Sequence, residues 1–572
     1  MLKRESILLL LLLVCGILVY FNSLLNGFIR DDELQIVQNK LLHSITNIPS
    51  FFTTSTFFAG DTSQLVGSYY KPLMLVFFST LYAITGSQPF GFHLFQLIIH
   101  ILNSLLVYLF FKYAFNIKTA FLLTLIFLIH PINSETVSYA SALQDGLFFL
   151  FGMLELQSIK KARGKISLIF IAFLLLLSLL SKESGILFVI IGVLFASLIR
   201  KSFRTGRINI TQVTTIAGSI SLILYSVFRF VIAGVYFSQN NTVPIMRASW
   251  QERLITMPKI IFYYLKTFFY PKVLAIDQSW IVSSIDYNDF YLPLILVSLF
   301  FFTTICIGFV LRKKDKHSFK WYSFFFLWFI LGIGFHLHFI PLDMTVSDRW
   351  FYFPMVGILG LVGGGLNLIH IRNKVLKTIG TILIFTIILL LSMRTIIRNS
   401  NWKDNLTLAS HDIEINKESY QLQSILGVEL SRAGRFDEAK GHLEKSVSFN
   451  PYWSVSWNNL GVLYIRIGEV SKAKEAFNKS ISLSNFHLAY ENLALLLLLH
   501  EDQTRAKQFT QTALKGFPTN AKLWYVLALT EYKLGNYQGA LLAAEKAYTL
   551  SPDKENYTLF TQLQQNLPFQ IQ

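Results

Sequence analysis

Residues 454–483 read SVSWNNLGVLYIRIGEVSKAKEAFNKSISL, and the spacing inside them decides the fold of the C-terminal third. Trp457, Leu460-Gly461 and Tyr464 fall in the first half, Ala473 and Phe477 in the second. Small residues sit where two antiparallel helices must approach closely. The same marks recur with a period of about 34 residues. Upstream they are Leu426-Gly427, Ala439 and Pro451. Downstream they are Tyr490, Leu493-Ala494, Ala506, Ala513 and Pro518, then Trp524, Leu527-Ala528, Ala540, Ala547 and Pro552. Proline closes the second helix of a unit because it cannot continue one.

This pattern resembles the tetratricopeptide repeat. About four units and a capping helix at 556–566 are expected over residues 420–566, stacked into an α-solenoid whose concave groove suits an extended peptide. Working back toward the N-terminus, residues 399–419 read as a linker and residues 1–398 as a body of different composition. The 572-residue chain is 53% hydrophobic, contains 53 Phe and is only 15% charged, too apolar for an ordinary soluble protein. Its formal charge of +17 falls mostly in short clusters between apolar runs, which reads as membrane topology and argues against a nucleic-acid partner. The two cysteines, Cys15 and Cys306, lie inside apolar stretches and imply no disulfide framework. Lys3-Arg4 followed by an apolar run to Phe21 lacks a convincing cleavage site and reads as a retained anchor.

Lys- and Arg-rich loops stay on the cytoplasmic side, so the crossings can be counted by parity. The clusters are Lys3-Arg4, Lys112 with Lys118, Lys160 to Lys165, Arg200 to Arg207, Arg312 to Lys320 and Arg372 to Lys377. All face one side only if the runs 71–86 and 256–270 do not span. About eleven crossings then remain, each needing roughly twenty apolar residues. The fold class expected is all-α, a polytopic membrane helix bundle followed by the repeat solenoid. Residues 23–90, 131–146, 237–289, 341–350 and everything after about 398 are placed on the non-cytoplasmic face.

Most of the chemically notable acids fall in those outer segments. Asn26-Gly27-Phe28-Ile29-Arg30-Asp31-Asp32-Glu33 puts three consecutive carboxylates beside the membrane, where one can act as general base toward a hydroxyl or the group can bind a divalent metal such as Mg or Mn. A solvated loop is the plain alternative. Ser68-Tyr69-Tyr70-Lys71-Pro72-Leu73 places a cation at the interface, suited to a phosphate headgroup or to snorkelling. Glu135 and Asp145 are further acids, open between supporting the base, holding an acceptor, binding a metal and a structural role. Asp277 follows Tyr270-Pro271-Lys272-Val273-Leu274-Ala275-Ile276. Lys182 and Glu183 read as a simple pair. His93, His100, His130, His336 and His338 have no common metal-ligand spacing.

The order of these features resembles a known family. Gly27 to Asn39, Tyr70-Lys71-Pro72-Leu73, Pro89-Phe90-Gly91-Phe92-His93, His130-Pro131-Ile132-Asn133-Ser134-Glu135 with Asp145, Ser181-Lys182-Glu183-Ser184 and Asp348-Arg349-Trp350-Phe351-Tyr352-Phe353-Pro354 occur in sequence, ending in the repeats. Together they look like the transmembrane and tetratricopeptide-repeat O-mannosyltransferases, similar in turn to the wider GT-C membrane glycosyltransferases. The resemblance implies a polyprenyl-phosphate sugar donor and a protein or glycan acceptor docking on the repeat groove. It implies Asp31 and Asp32 as candidate catalytic bases, and Lys71 and Arg349 as donor-phosphate ligands. Glu135, Asp145 and Asp277 are candidates to support them or to hold the acceptor. It also implies a multi-pass protein of the plasma membrane in a prokaryote or of the endoplasmic reticulum in a eukaryote, with the repeats on the non-cytoplasmic side.

Two departures stand out: only about four repeats, and Asp-Arg-Trp-Phe-Tyr at 348–352 where relatives often carry an aliphatic-rich version. The Asn-x-Ser/Thr triplets at Asn240, Asn405, Asn478 and Asn556 do not argue for a secretory pathway. The rival reading is a non-catalytic membrane scaffold that anchors a peptide-binding array. A transporter is a third, but it predicts polar residues along mid-helix positions in place of acids gathered in loops.

Overall fold

The computed structural model describes residues 2–56, 69–162, 166–199, 204–205, 208–236, 243–369, 372–565 and 567. Ser68, Asn240 and parts of the basic clusters at 160–165 and 200–207 lie outside the described residues. The chain divides into two compact units, one built from Met1–Gln38, Leu42–Thr56 and Tyr69–Asn416, the other chiefly from Lys417 onward. Both are helical. The described strands are one antiparallel pair of two residues each, Arg204–Thr205 with Ile208–Asn209.

In the first unit, the apolar runs read from the sequence all form helices. Five are long and apolar enough to cross a bilayer: Glu5–Leu25, Pro89–Ala114, Ile210–Ile232, Tyr287–Lys314 and Lys374–Asn401. Ile117–Ile129 and Pro131–Ser138 form a sixth candidate, bent by 47° at the break before Pro131, where the imidazole of His130 accepts from the backbone of Ile132. Ile166–Ser181, Glu183–Ile199 and Pro354–Leu366 are apolar but shorter. The expectation of about eleven crossings therefore meets five or six helices that qualify by length and composition alone. Pro72–Thr85 has 14 residues, about 21 Å at 1.5 Å per residue. Trp250–Phe269 opens on a capping box between Ser249 and Glu252.

Helices in lipid gain little from burying apolar surface against one another, so they associate through close packing around small residues. That is how Pro354–Leu366 meets Lys316–Gly334. A Cβ on Gly357 would lie 2.5 Å from the Phe329 amide nitrogen, and one on Gly360 would lie 2.1 Å from the ring of Phe325. Gly152 likewise receives the ring of Phe188. The residues expected to form a linker, 399–419, have defined structure. Helix Lys374–Asn401 is followed by a turn and by helix Asn405–Ile415, both inside the first unit. Arg398 makes a bidentate pair with Asp412 at 2.6 and 3.0 Å, both side chains almost wholly buried.

The second unit is four helical hairpins and a final helix, Lys554–Gln564. The pairs are Tyr420–Arg432 with Phe436–Phe449, Ser454–Arg466 with Val470–Leu483, His487–His500 with Gln503–Gly516, and Ala521–Lys533 with Tyr537–Leu550. Gly434, Gly468 and Gly535 turn three of the hairpins at φ of 77, 79 and 77°, a region that favours glycine. The other turns at Glu501 and is capped by Asp502. The indole N–H groups of Trp457 and Trp524 donate to the carbonyls of Pro451 and Pro518 at 2.9 and 2.8 Å, so the repeated residues make repeated contacts.

Candidate active site

The loop after the first helix is fastened by the far end of the same unit. Asn26 Nδ2 donates to the Asn399 carbonyl at 3.1 Å, and the Gly27 amide to the Lys403 carbonyl at 2.9 Å. The Arg30 amide donates to Asn405 Oδ1 at 2.9 Å. Arg30 has φ 51°, and its guanidinium lies 2.6 Å from Asp277, which itself has φ 62°. Two non-glycine residues in the left-handed region, joined by one ion pair, are strained backbone held by its surroundings. Burial raises the Asp277 carboxyl, and Arg30 pulls it part of the way back.

The two adjacent aspartates take different places. Asp32 is fully buried, one oxygen accepting from the Ser141 amide at 2.7 Å and its hydroxyl at 2.5 Å, the other from the Ile29 amide at 3.2 Å. Burial pushes its carboxyl up to about 7, against the pull of those donors. Asp31 is half-buried and receives no hydrogen bond or ion pair from the described residues, although its charge reaches Arg30, Asp277 and Tyr139. With both Asp32 oxygens occupied, the run Asp31-Asp32-Glu33 does not offer three free carboxylates to one ion. Among the described residues no group of three or more His, Cys, Asp or Glu side chains is arranged to hold a metal.

Cations gather nearby. Glu135 accepts from Ser347 Oγ at 2.9 and 3.1 Å, from the Arg349 amide at 3.1 Å and from its guanidinium at 2.7 Å, which fixes Arg349 in place. Asp145 lies 2.5 Å from Lys182 Nζ and 3.8 Å from Arg349 Nε. Burial opposes the charge on Arg349, but Glu135 and Asp145 hold it protonated. Lys182 and Glu183, adjacent and expected to pair, take separate partners, since Arg229 binds Glu183 at 2.8 Å. Lys71 is 9% exposed, with Nζ 4.2 Å from the Tyr69 ring centroid and no carboxylate at ion-pair distance among the described residues. Burial lowers its pKa; the charge of Glu183, and less strongly that of Asp145, opposes this, while those of Lys182 and Arg349 add to it.

Several residues here escaped the sequence reading. Asp348 accepts from the Tyr263 hydroxyl at 2.8 Å, and burial with the neighbouring Glu135 charge pushes its carboxyl up to about 8. Asn399, Lys403 and Asn405 anchor the first loop, and Ser141 occupies Asp32. Lone polar side chains and backbone groups carry no pattern that spacing could reveal. Arg398, a charge near the end of an apolar run, was the available signal. The histidines find local partners: His130 bonds the Phe268 carbonyl at 2.9 Å, and His338 that of Thr345 at 2.7 Å.

Fold and site together define a multi-pass membrane protein that carries a helical repeat array and collects a free carboxylate and a cation cluster in its membrane unit. The tetratricopeptide repeat family matches residues 455–487 and 521–554. The chain is 24% identical to human "Protein O-mannosyl-transferase TMTC3", over 96% of this chain and 68% of the relative. It is 23% identical to the mouse protein of that name, over 90% of this chain and 64% of the relative, and 25% identical to human "Protein O-mannosyl-transferase TMTC1", over 78% and 55%. It thus spans about two thirds of the length of the TMTC3 proteins. These relatives are of the kind to which the ordered motifs pointed. Among solved structures, MamA superposes on 26% of this chain and 82% of its own length with a TM-score of 0.24 and 22% identity.

Proposed function

We propose that this protein is a glycosyltransferase of the GT-C type that moves a sugar from a polyprenyl phosphate to a hydroxyl of a protein or glycan acceptor on the non-cytoplasmic face of its membrane. Support comes from relatives named protein O-mannosyl-transferases along most of the chain, and from one juxtaposition. The Arg349 guanidinium lies 5.9 Å from the Tyr139 ring centroid, and the charge of Asp31, whose carboxylate has no hydrogen-bond or ion-pair partner among the described residues, reaches the same side chain, an arrangement that suits a base and an anion site serving one substrate.

In this reading Asp31 takes the proton of the acceptor hydroxyl as its oxygen bonds to the anomeric carbon. The bond from that carbon to the phosphate oxygen breaks with inversion, and its electron pair leaves on the polyprenyl phosphate. Lys71 and Arg349 stabilise the departing anion, with Lys182 beside them. A phosphate leaves without an acid catalyst, so the second carboxylate of a glycosidase is not needed. Asp32, Glu135 and Asp277 position the loops. Asp145 holds Lys182 and borders Arg349. The repeat groove would present the acceptor.

The test is transfer in isolated membranes from labelled dolichyl-phosphate mannose. Asp31→Asn should lower the rate by about 100-fold or more, the usual contribution of a positioned base. Unchanged transfer by Asp31→Asn would remove the assigned base. Failure of the unaltered protein to bind the lipid would favour the scaffold reading.

A further inference from the structure

Tyr139 is a side chain to which the transfer chemistry gives no task. It follows the short helix Ser134–Ser138, and Gln96 Nε2 donates to its carbonyl at 2.8 Å. Its ring stacks on Trp402 with centroids 5.8 Å apart, and the Arg349 guanidinium lies 5.9 Å from its centroid. The residue is 3% exposed. Its hydroxyl takes no hydrogen bond from the described residues. A buried tyrosine ordinarily finds a partner for its O–H. The charges that reach it are Asp31, Arg30, Asp32 and Arg349, so of the proposed base and the cation cluster it feels Asp31 and, 5.9 Å from its ring centroid, Arg349.

That position has a chemical meaning, which rests on the donor reading above. In an inverting transfer the anomeric carbon lies between the incoming oxygen and the leaving phosphate oxygen. The sugar therefore fills the space between base and cations, and a group close to both borders the sugar. With Trp402 and Arg349 already against the ring, the hydroxyl is the part left to serve. We infer that Tyr139 donates a hydrogen bond from its hydroxyl to a hydroxyl of the donor sugar and so helps decide which sugar is accepted. A site that hydrogen-bonds a substrate hydroxyl discriminates against a sugar lacking it, because the protein group is then left unpaired.

Tyr139→Phe keeps the ring and its contacts and removes only the hydroxyl. With full-length protein in lipid nanodiscs, it should weaken binding of dolichyl-phosphate mannose about tenfold and leave binding of dolichyl phosphate unchanged, whereas Lys71→Gln should weaken both. Equal effects of Tyr139→Phe on the two lipids, or no effect on either, overturn the inference. A second readout uses the unaltered chain with single-deoxy mannosyl donors. One of them should bind about tenfold more weakly, and equal binding of all of them also overturns it. Absence of binding of either lipid by the unaltered protein overturns the donor assignment itself, and the role of Tyr139 with it.

Discussion

Replacing Asp32 by Asn removes a carboxylate that the fold buries while leaving an oxygen for Ser141. Burial holds its folded pKa at about 7, well above the 3.8 of the free side chain. The folded chain therefore keeps a proton that the unfolded chain releases, and the associated stability is complete below about pH 4 and lost as pH rises toward 7. The melting temperature of the wild type relative to Asp32→Asn should accordingly fall between about pH 4 and pH 7 and level off above. A difference that stays flat or rises over that range would mean that Asp32 is ionised throughout. The sequence singled out Asp31 and Asp32 together because both are acids beside a membrane segment. Their separation into a free and an occupied carboxylate depends on Ser141, 109 residues away, and no local spacing encodes it. Lys71 and Arg349 were legible as cations in marked motifs. Lys182 joins Arg349 through the fold alone, since Asp145 lies against both while Arg229 takes Glu183.

Helix Asn405–Ile415 shows where reading elements from sequence stops. With 11 residues and a mixed composition it is too short to persist alone, so nothing in its own pattern announced it. Its anchor is Asp412, placed against Arg398 from the preceding helix. Burial would raise the Asp412 carboxyl, but Arg398, His411 and the Ile276 amide hold it low. Asp412→Ala would leave a guanidinium buried without its partner, a loss of about 3–5 kcal/mol for a pair of this kind. A marked drop in melting temperature is expected, largely recovered by Arg398→Met combined with Asp412→Leu. Wild-type melting of the single variant would show that the pair contributes nothing. The membrane helices were legible as long apolar runs, and the repeat hairpins by a period that recurs along the chain. The crossing count was less so, because Pro, Gly and charged residues interrupt several helices of the bundle.

At the scale of the chain, the two units set where it can be divided. Each repeat packs mainly on its neighbours, so an array of this kind can be removed without unravelling what precedes it. A chain ending at Asn416 should bind dolichyl-phosphate mannose within about twofold of the full protein, a change worth less than 0.5 kcal/mol. A chain ending at Ser400 lacks Lys403, Asn405 and Asp412, and should fail to give a monodisperse folded species by size-exclusion chromatography. Equal behaviour of the two truncations would show that helix Asn405–Ile415 is dispensable. The same fastening governs the order of synthesis. The amide of Arg30 meets its partner Asn405 across 375 residues. At a translation rate of about 5–20 residues per second, the first loop leaves the ribosome roughly 20–75 s before that partner exists. The nascent protein thus passes through most of its membrane insertion before the bonds from Asn399, Lys403 and Asn405 can form, and a message cut short upstream of codon 399 yields a chain whose acidic loop keeps its partners Ser141 and Asp277 but lacks those three.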